Sequence, residues 1–173
     1  MACSVSNGRS LPCKSAVGGI KDIYFGPYSA TTAALSDSSG TITLDDSVSF
    51  FKYEVKGNSS LETAINSSRE NGTTFYESTL NLTFTFLDVA TQEQIKLLAH
   101  GRPQVVIEDY NGNVFLIGKD HGCEVSGGTV VTGAAMGDLS GFTLTLTAQE
   151  TAPPFFCASA PTDDSSTPID PTA

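Results

Sequence analysis

The sequence predicts a mainly β protein: a β-sandwich or barrel with one flanking α-helix and long hairpins. Its 173 residues include 20 Ser, 20 Thr and 16 Gly but no Trp, a composition typical of strands and turns. Several segments carry apolar side chains at every second position, as half-buried strands do. Two Asn-Gly pairs, at Asn71 and Asn111, stand between extended segments and indicate tight hairpins, in which both turn residues take positive φ.

Three short strands are predicted in the first third of the chain. They cover residues 18–28, 41–44 and 47–56, and a loop of small residues lies between the first two, at 29–39. In the third strand Phe51, Tyr53 and Val55 alternate onto one face, which should be buried.

The first Asn-Gly pair predicts a long hairpin of residues 58–70 and 73–87. The second arm has Leu80, Leu82, Phe84 and Phe86 on one face, whereas the first arm is polar nearly throughout. A short helix is the alternative for the first arm, because Ser59 and Glu62 have capping-box spacing. Arms of this length extend ~40 Å at ~3.3 Å per residue, and an isolated ribbon is marginally stable in water. We therefore expect a partner outside the monomer to hold it.

One helix is predicted at residues 91–100. Thr91 and Gln94 form a capping box, Ile95 and Leu98 face the core, and Gly101 ends the helix. Beyond it, residues 104–110 and 113–118 form the second hairpin around Asn111.

The remaining strands are predicted at residues 124–126, 129–132 and 141–149. In the last of these Phe142, Leu144 and Leu146 alternate with threonines. The glycine-rich segment 133–141 resembles a flexible ligand loop, although such connections are more often simple turns. The domain prediction is an N-terminal arm at 1–13, a β domain at 14–150, and a flexible acidic tail rich in Pro, Ser and Thr at 151–173.

The net charge of −10 and pI near 4.4 argue against sequence-specific nucleic-acid binding, which needs a basic surface. No export signal begins the sequence and no apolar run has the length of a membrane span. We therefore expect a protein made in a reducing cytoplasm, without membrane insertion. A disulfide between Cys3 and Cys13 would form only on later oxidation.

No catalytic, cofactor-binding or metal site is predicted, and we expect a protein that is not an enzyme. The common catalytic motifs are absent from the sequence, and the two histidines, His100 and His121, do not have the setting of a general base. The acidic pairs at 45–46 and 108–109 are neighbours in strands or turns, and consecutive residues of a strand point to opposite faces. His121 and Cys123 alone have spacing that suggests metal ligation.

Four blocks of the sequence carry a family resemblance. They are residues 1–25 (MACSVSNGRSLPCKSAVGGIKDIYF), 57–79 (GNSSLETAINSSRENGTTFYEST), 101–118 and 133–146. Together with the order of strands, single helix and Asn-Gly hairpin, they resemble the tail tube (major tail) proteins of bacteriophages, of the kind found in phages of Bacteroidetes and marine bacteria. The resemblance implies hexameric rings stacked into a hollow tube that conducts DNA during ejection.

The same resemblance implies long hairpins that line the lumen or join subunits. The residues concerned are Glu62, Arg69, Glu70, Asn71, Gly72 and Glu77. Glu62, Glu70 and Glu77 are candidate lumen charges, since carboxylates repel DNA whereas Lys and Arg would hold it. They could equally be ordinary solvated strand residues. The implied partners are identical copies, the tape-measure protein, a terminator and a baseplate or hub, with DNA only in passage, in a virion tail assembled in the host cytoplasm.

Two alternatives stay open at this stage. One is another tubular assembly component: the inner tube of a contractile injection system, or a terminator. The other is a secreted β-sandwich that binds or adheres, which would explain the Ser and Thr content and the four N-x-S/T sequons.

Overall fold

A computed structural model describes residues 7–11, 13–29, 33–35, 41–55 and 57–171. Cys3 lies outside these residues, and with it the Cys3–Cys13 pairing. Within them the elements are β1 (Ile20–Gly26), β2 (Ala33–Leu35), β3 (Thr41–Leu44), β4 (Phe51–Glu54), β5 (Ser60–Ser68), β6 (Thr73–Thr85), α1 (Val89–His100), β7 (Gln104–Asp109), β8 (Val114–Ile117), β9 (Glu124–Val131), β10 (Gly141–Glu150) and β11 (Phe155–Cys157).

The strands form two sheets, and the mainly β fold with a single flanking helix is confirmed. The larger sheet has the order β2-β3-β11-β8-β7-β1-β4, and the smaller has the order β5-β6-β10-β9. Every pairing in the smaller sheet is antiparallel. No helix of the described residues is long and apolar enough to cross a membrane.

The main core lies between the two sheets. It is built from the alternating apolar residues of both, including Leu80, Leu82, Leu144 and Leu146 from the smaller sheet. The rings of Phe25 and Tyr53 meet edge to face with centroids 5.1 Å apart. The period-2 pattern in the sequence thus marks the buried face correctly.

A second apolar cluster contains the alternate residues of the larger sheet, such as Tyr24 and Val106. Residues after β10 complete it. Phe155 packs against it and Cys157 is part of it, and β11 pairs in parallel with β3 and antiparallel with β8. The second cluster therefore depends on the C-terminal segment.

The prediction that the whole of 151–173 is flexible or loosely attached is therefore wrong for β11 and for Asp163 and Asp164. The Asp164 backbone N–H donates to the Phe50 carbonyl (2.9 Å), and its carboxylate accepts from the Phe50 N–H (3.0 Å). The Asp163 carboxylate accepts from the Lys52 N–H (3.2 Å). Residues 151–173 are polar on average, so their composition did not predict the three-residue strand β11 within them.

Helix α1 is confirmed, but its first turn differs from the prediction. Asp88 is the N-cap, and its carboxylate accepts from the Thr91 N–H (2.8 Å). The capping box at Thr91 is wrong because the helix begins two residues earlier, at Val89. Ile95 and Leu98 are half-buried against the main core, and the Gly101 N–H donates to two carbonyls of the last turn, as a C-cap should.

Both hairpins are confirmed, with wider turns than predicted. Only the glycines have positive φ, +63° at Gly72 and +80° at Gly112, so neither Asn-Gly pair forms a two-residue turn of the primed type. In the second hairpin the Gly112 N–H donates to the Asp109 carbonyl (3.2 Å) and the Asp109 N–H to the Asn113 carbonyl (3.0 Å). This is a three-residue loop that ends with a left-handed glycine.

Two further strand assignments differ from the prediction, and the type of one element is decided between two alternatives. The strand expected at 47–56 covers only Phe51–Glu54. The two short strands expected at 124–126 and 129–132 form one strand, β9, whose pairing with β10 shifts register between Thr145 and Leu146. The helical alternative for the first arm of the long hairpin is wrong, because that arm is β5.

Candidate assembly surface

The long hairpin is the outer half of the smaller sheet. β5 and β6 pair without interruption from Ser60 opposite Asn81 to Ser68 opposite Thr73. β10 covers the other side of β6 from Tyr76 to Thr85. The expectation of an isolated ribbon of ~40 Å is therefore wrong. Only three residue pairs and the loop extend beyond β10, about 10 Å at ~3.3 Å per residue.

The outward face of this sheet is polar and tied together by side-chain hydrogen bonds. The hydroxyls of Thr129 and Thr143 lie 2.6 Å apart, and the Thr145 hydroxyl donates to the Asn81 side-chain oxygen (3.0 Å). We call this surface the polar face. The strand register assigns to it the polar residues Ser60, Glu62, Asn66, Ser68, Thr73, Glu77, Thr79, Asn81, Thr83, Thr85, Glu124, Thr129, Thr143, Thr145, Thr147 and Gln149, together with the apolar Ala64, Phe75 and Val131.

The polar face carries carboxylates and no cation. None of the four strands contains Lys or Arg. Glu62 on β5 is exposed, and Glu77 on β6 accepts a hydrogen bond from the Gln149 side-chain amide (3.2 Å). Since Glu62 pairs with Thr79, two residues from Glu77 on β6, the two carboxylates are diagonal neighbours.

Glu124 joins this face from β9, opposite Thr147. Sequence reasoning missed it, because no local signal reports that β9 adds to the edge of β10. The fourth acid of the sheet, Glu150, points the other way and is buried. Its carboxylate accepts from the backbone N–H groups of Asp120 and His121 (3.1 Å each), so it fixes a loop.

The other predicted residues lie at the hairpin tip. Arg69, Glu70, Asn71 and Gly72 form the exposed four-residue loop between β5 and β6. The Asn71 N–H donates to the Ser68 hydroxyl (3.3 Å). The predicted set thus divides in two: Glu62 and Glu77 on the polar face, and residues 69–72 at the tip. Glu70 does not lie with the other two glutamates.

Among the described residues, neither outer strand of the sheet, β5 or β9, pairs with another strand on its outer side, so both have an open edge. The nine residues of β5 include no Pro and no Lys, and their register with β6 is regular. Ile65, near its middle, is 68% exposed. Proteins usually protect an edge strand with a charge, a proline or a bulge. β5 has only Glu62 for this purpose, so its edge can accept another strand.

Three of the residues considered for catalysis or metal binding, Glu108, Asp109 and Cys123, have structural contacts or are buried. Glu108 accepts from the Lys21 ammonium (2.7 Å), and Asp109 accepts from the backbone and side chains of Asn111 and Asn113. Cys123 is fully buried, and burial raises the pKa of its thiol. No group of three metal-ligating side chains occurs within the described ranges.

No family model matches the chain, and neither the curated proteins nor the solved structures give a match to it. Its function is therefore inferred from the geometry of the smaller sheet and from the sequence resemblance.

Proposed function

We propose that the chain is a structural subunit of a bacteriophage tail tube, which assembles with identical copies into stacked hexameric rings that conduct DNA during ejection. The observation that carries the proposal is the smaller sheet. It has two open edges and an outward face with carboxylates and no cation.

Ring closure would satisfy the open edges. If β5 of one copy pairs with β9 of the next, every copy uses both edges in the same way and the ring leaves no edge free. Six copies of a four-stranded sheet give a barrel of ~24 strands. With ~4.8 Å between strands and a tilt of ~40°, its circumference is about 150 Å and its diameter about 48 Å between backbones. After inward side chains are allowed for, double-stranded DNA passes through it.

The polar face has the chemistry of a conduit wall. Each Lys or Arg that contacts a phosphate releases counterions and retains DNA, and the strands of this sheet contain neither residue. Glu62, Glu77 and Glu124 repel the phosphates, while the threonine hydroxyls keep the wall wet. The implied partners are other copies and further tail components such as a tape-measure protein, a terminator and a baseplate or hub. The location is the virion tail.

The test is the assembly state of the purified protein. Sedimentation velocity and negative-stain microscopy over a range of concentrations should show rings and open-ended tubes with a central channel. Rings that never stack would instead favour a terminator. A compact monomer under all conditions, including addition of preformed tail components, would overturn the proposal.

A further inference from the structure

The chain has three Asn-Gly pairs, and the two that lie in hairpin turns, at Asn71 and Asn111, differ in their chemical exposure. At such a pair the glycine backbone nitrogen can attack the asparagine Cγ, which forms a cyclic imide and expels ammonia. Water then opens the imide at either carbonyl and leaves aspartate or isoaspartate. The reaction needs water alone, a free asparagine side chain and a glycine N–H that can be deprotonated.

Asn111 meets neither structural requirement. Its side-chain oxygen accepts from the Val17 N–H (2.9 Å) and its amide donates to the Val17 carbonyl (2.6 Å). The same amide donates to the Asp109 carboxylate (3.3 Å), and the N–H of Gly112 is held by the Asp109 carbonyl (3.2 Å). Cyclisation at this turn requires these hydrogen bonds to break.

Asn71 has the opposite setting. Its side chain and the Gly72 N–H have no hydrogen-bond partner among the described residues; the one bond of this pair joins the Asn71 backbone N–H to Ser68. The position of a Cβ on Gly72 has nothing within 4 Å. The loop lies at the tip of the protruding part of the hairpin, beyond the end of β10.

We propose that Asn71 is a site of spontaneous deamidation in the folded protein and that Asn111 is protected from the same reaction. Each event adds a carboxylate beside Glu70, and the isoaspartate product also lengthens the backbone of the loop by one carbon. The hairpin tip therefore becomes more acidic and distorted with age.

Peptide mapping by mass spectrometry tests it, with the folded chain incubated in mildly alkaline buffer. Asn71 should convert to aspartate and isoaspartate at least about tenfold faster than Asn111, because several hydrogen bonds at Asn111 must break before it can cyclise. In denaturant the two rates should become similar. The variant Asn71→Gln, which keeps the amide but cyclises more slowly, should remove the reaction at the tip.

Equal rates at the two sites in the folded protein, or an unmodified Asn71, would overturn the proposal. So would an Asn111 that stays slow in denaturant, because the contrast would then come from neighbouring residues in the sequence rather than from the fold.

Discussion

Blocking the outer edge of β5 should prevent assembly and leave the monomer folded. Ala64 and Ile65 lie in the middle of β5 and are exposed. Because successive residues of an antiparallel strand direct their backbone groups to opposite sides, one of the two N–H groups points to β6 and the other to the open edge. The variants Ala64→Pro and Ile65→Pro remove these two N–H groups in turn.

The size of the effect follows from the hydrogen bonds at one subunit joint. Removing one donor and leaving its acceptor unpaired costs about 1–3 kcal/mol. At 1.4 kcal/mol per factor of ten, each joint is weakened roughly fivefold to hundredfold. Since a closed ring contains a joint between every pair of neighbours, the concentration needed for assembly should rise steeply. The variant that instead loses a bond to β6 should unfold at lower denaturant concentration.

Two measurements separate these outcomes. Denaturant unfolding identifies the variant whose monomer is as stable as the wild type, and sedimentation velocity then reports whether that variant assembles. The matched controls are Ala64→Ser and Ile65→Thr, which keep the backbone N–H and should assemble normally. If the stable proline variant forms tubes at wild-type concentrations, the β5 edge is not the joint and the closed-ring account is refuted.

Three further predictions concern the polar face, the sheet and the C-terminal segment. The double variant Glu62→Lys/Glu77→Lys should form tubes that retain DNA, and in a DNA-binding assay log K should fall with log salt concentration with a slope of up to about −0.9 per added lysine. The control Glu93→Lys, on the exposed side of α1, should form tubes that do not retain DNA. Equal DNA retention by both would mean that the two glutamates do not face the channel. Gly141→Ala should lower the free energy of unfolding by about 1–3 kcal/mol, because a Cβ at this position collides with the β6 backbone. The control Gly127→Ala should have little effect, because the space around that Cβ is open. Unchanged denaturant midpoints in both variants would contradict the tight β6–β10 contact. Burial raises the pKa of Asp163, but hydrogen bonds from Ser165 and the Lys52 backbone outweigh it and hold the pKa below the ordinary 3.8. The ionised carboxylate therefore stabilises the folded protein fully above that value, and this stabilisation is lost as the pH falls through the lowered pKa. Thermal unfolding of Asp163→Asn should depend less on acid pH than that of the wild type, and identical pH profiles would contradict the role of this carboxylate.

Local patterns predicted most elements of this fold, but not β2, which lies in the expected loop 29–39, or β11, which lies in the expected tail. The alternation of Leu and Thr at 142–147 marks β10 and its buried face, and the apolar spacing of Ile95 and Leu98 marks the inward side of α1. Gly72 and Gly112, which follow Asn71 and Asn111, each fix a hairpin because a left-handed φ is required there. The exposure of Glu62 and residues 69–72 follows from the polarity of the same segment.

Long-range pairing could not be predicted. Nothing near β6 reports that β10 covers it from Tyr76 to Thr85, so the hairpin looked isolated when it was not. Glu124 reaches the polar face only through the β9–β10 pairing. The helix start differed from the prediction for a local reason: Asp88 and Thr91 are both good caps, and the earlier one is used.

The position of β11 also constrains the order in which the chain can fold. Among the described residues, the paired strands β2 and β3 hydrogen-bond to the rest of their sheet through β11 alone, and β11 is made more than a hundred residues later. During synthesis on the ribosome, β2 and β3 cannot pair with the rest of the sheet until the chain up to β11 has been made. Pairing between strands so far apart in the sequence is also slow. A nascent polypeptide halted before Phe155 therefore lacks a finished larger sheet, although its smaller one can already form. Synthesis itself delays the moment at which a subunit becomes fully ordered.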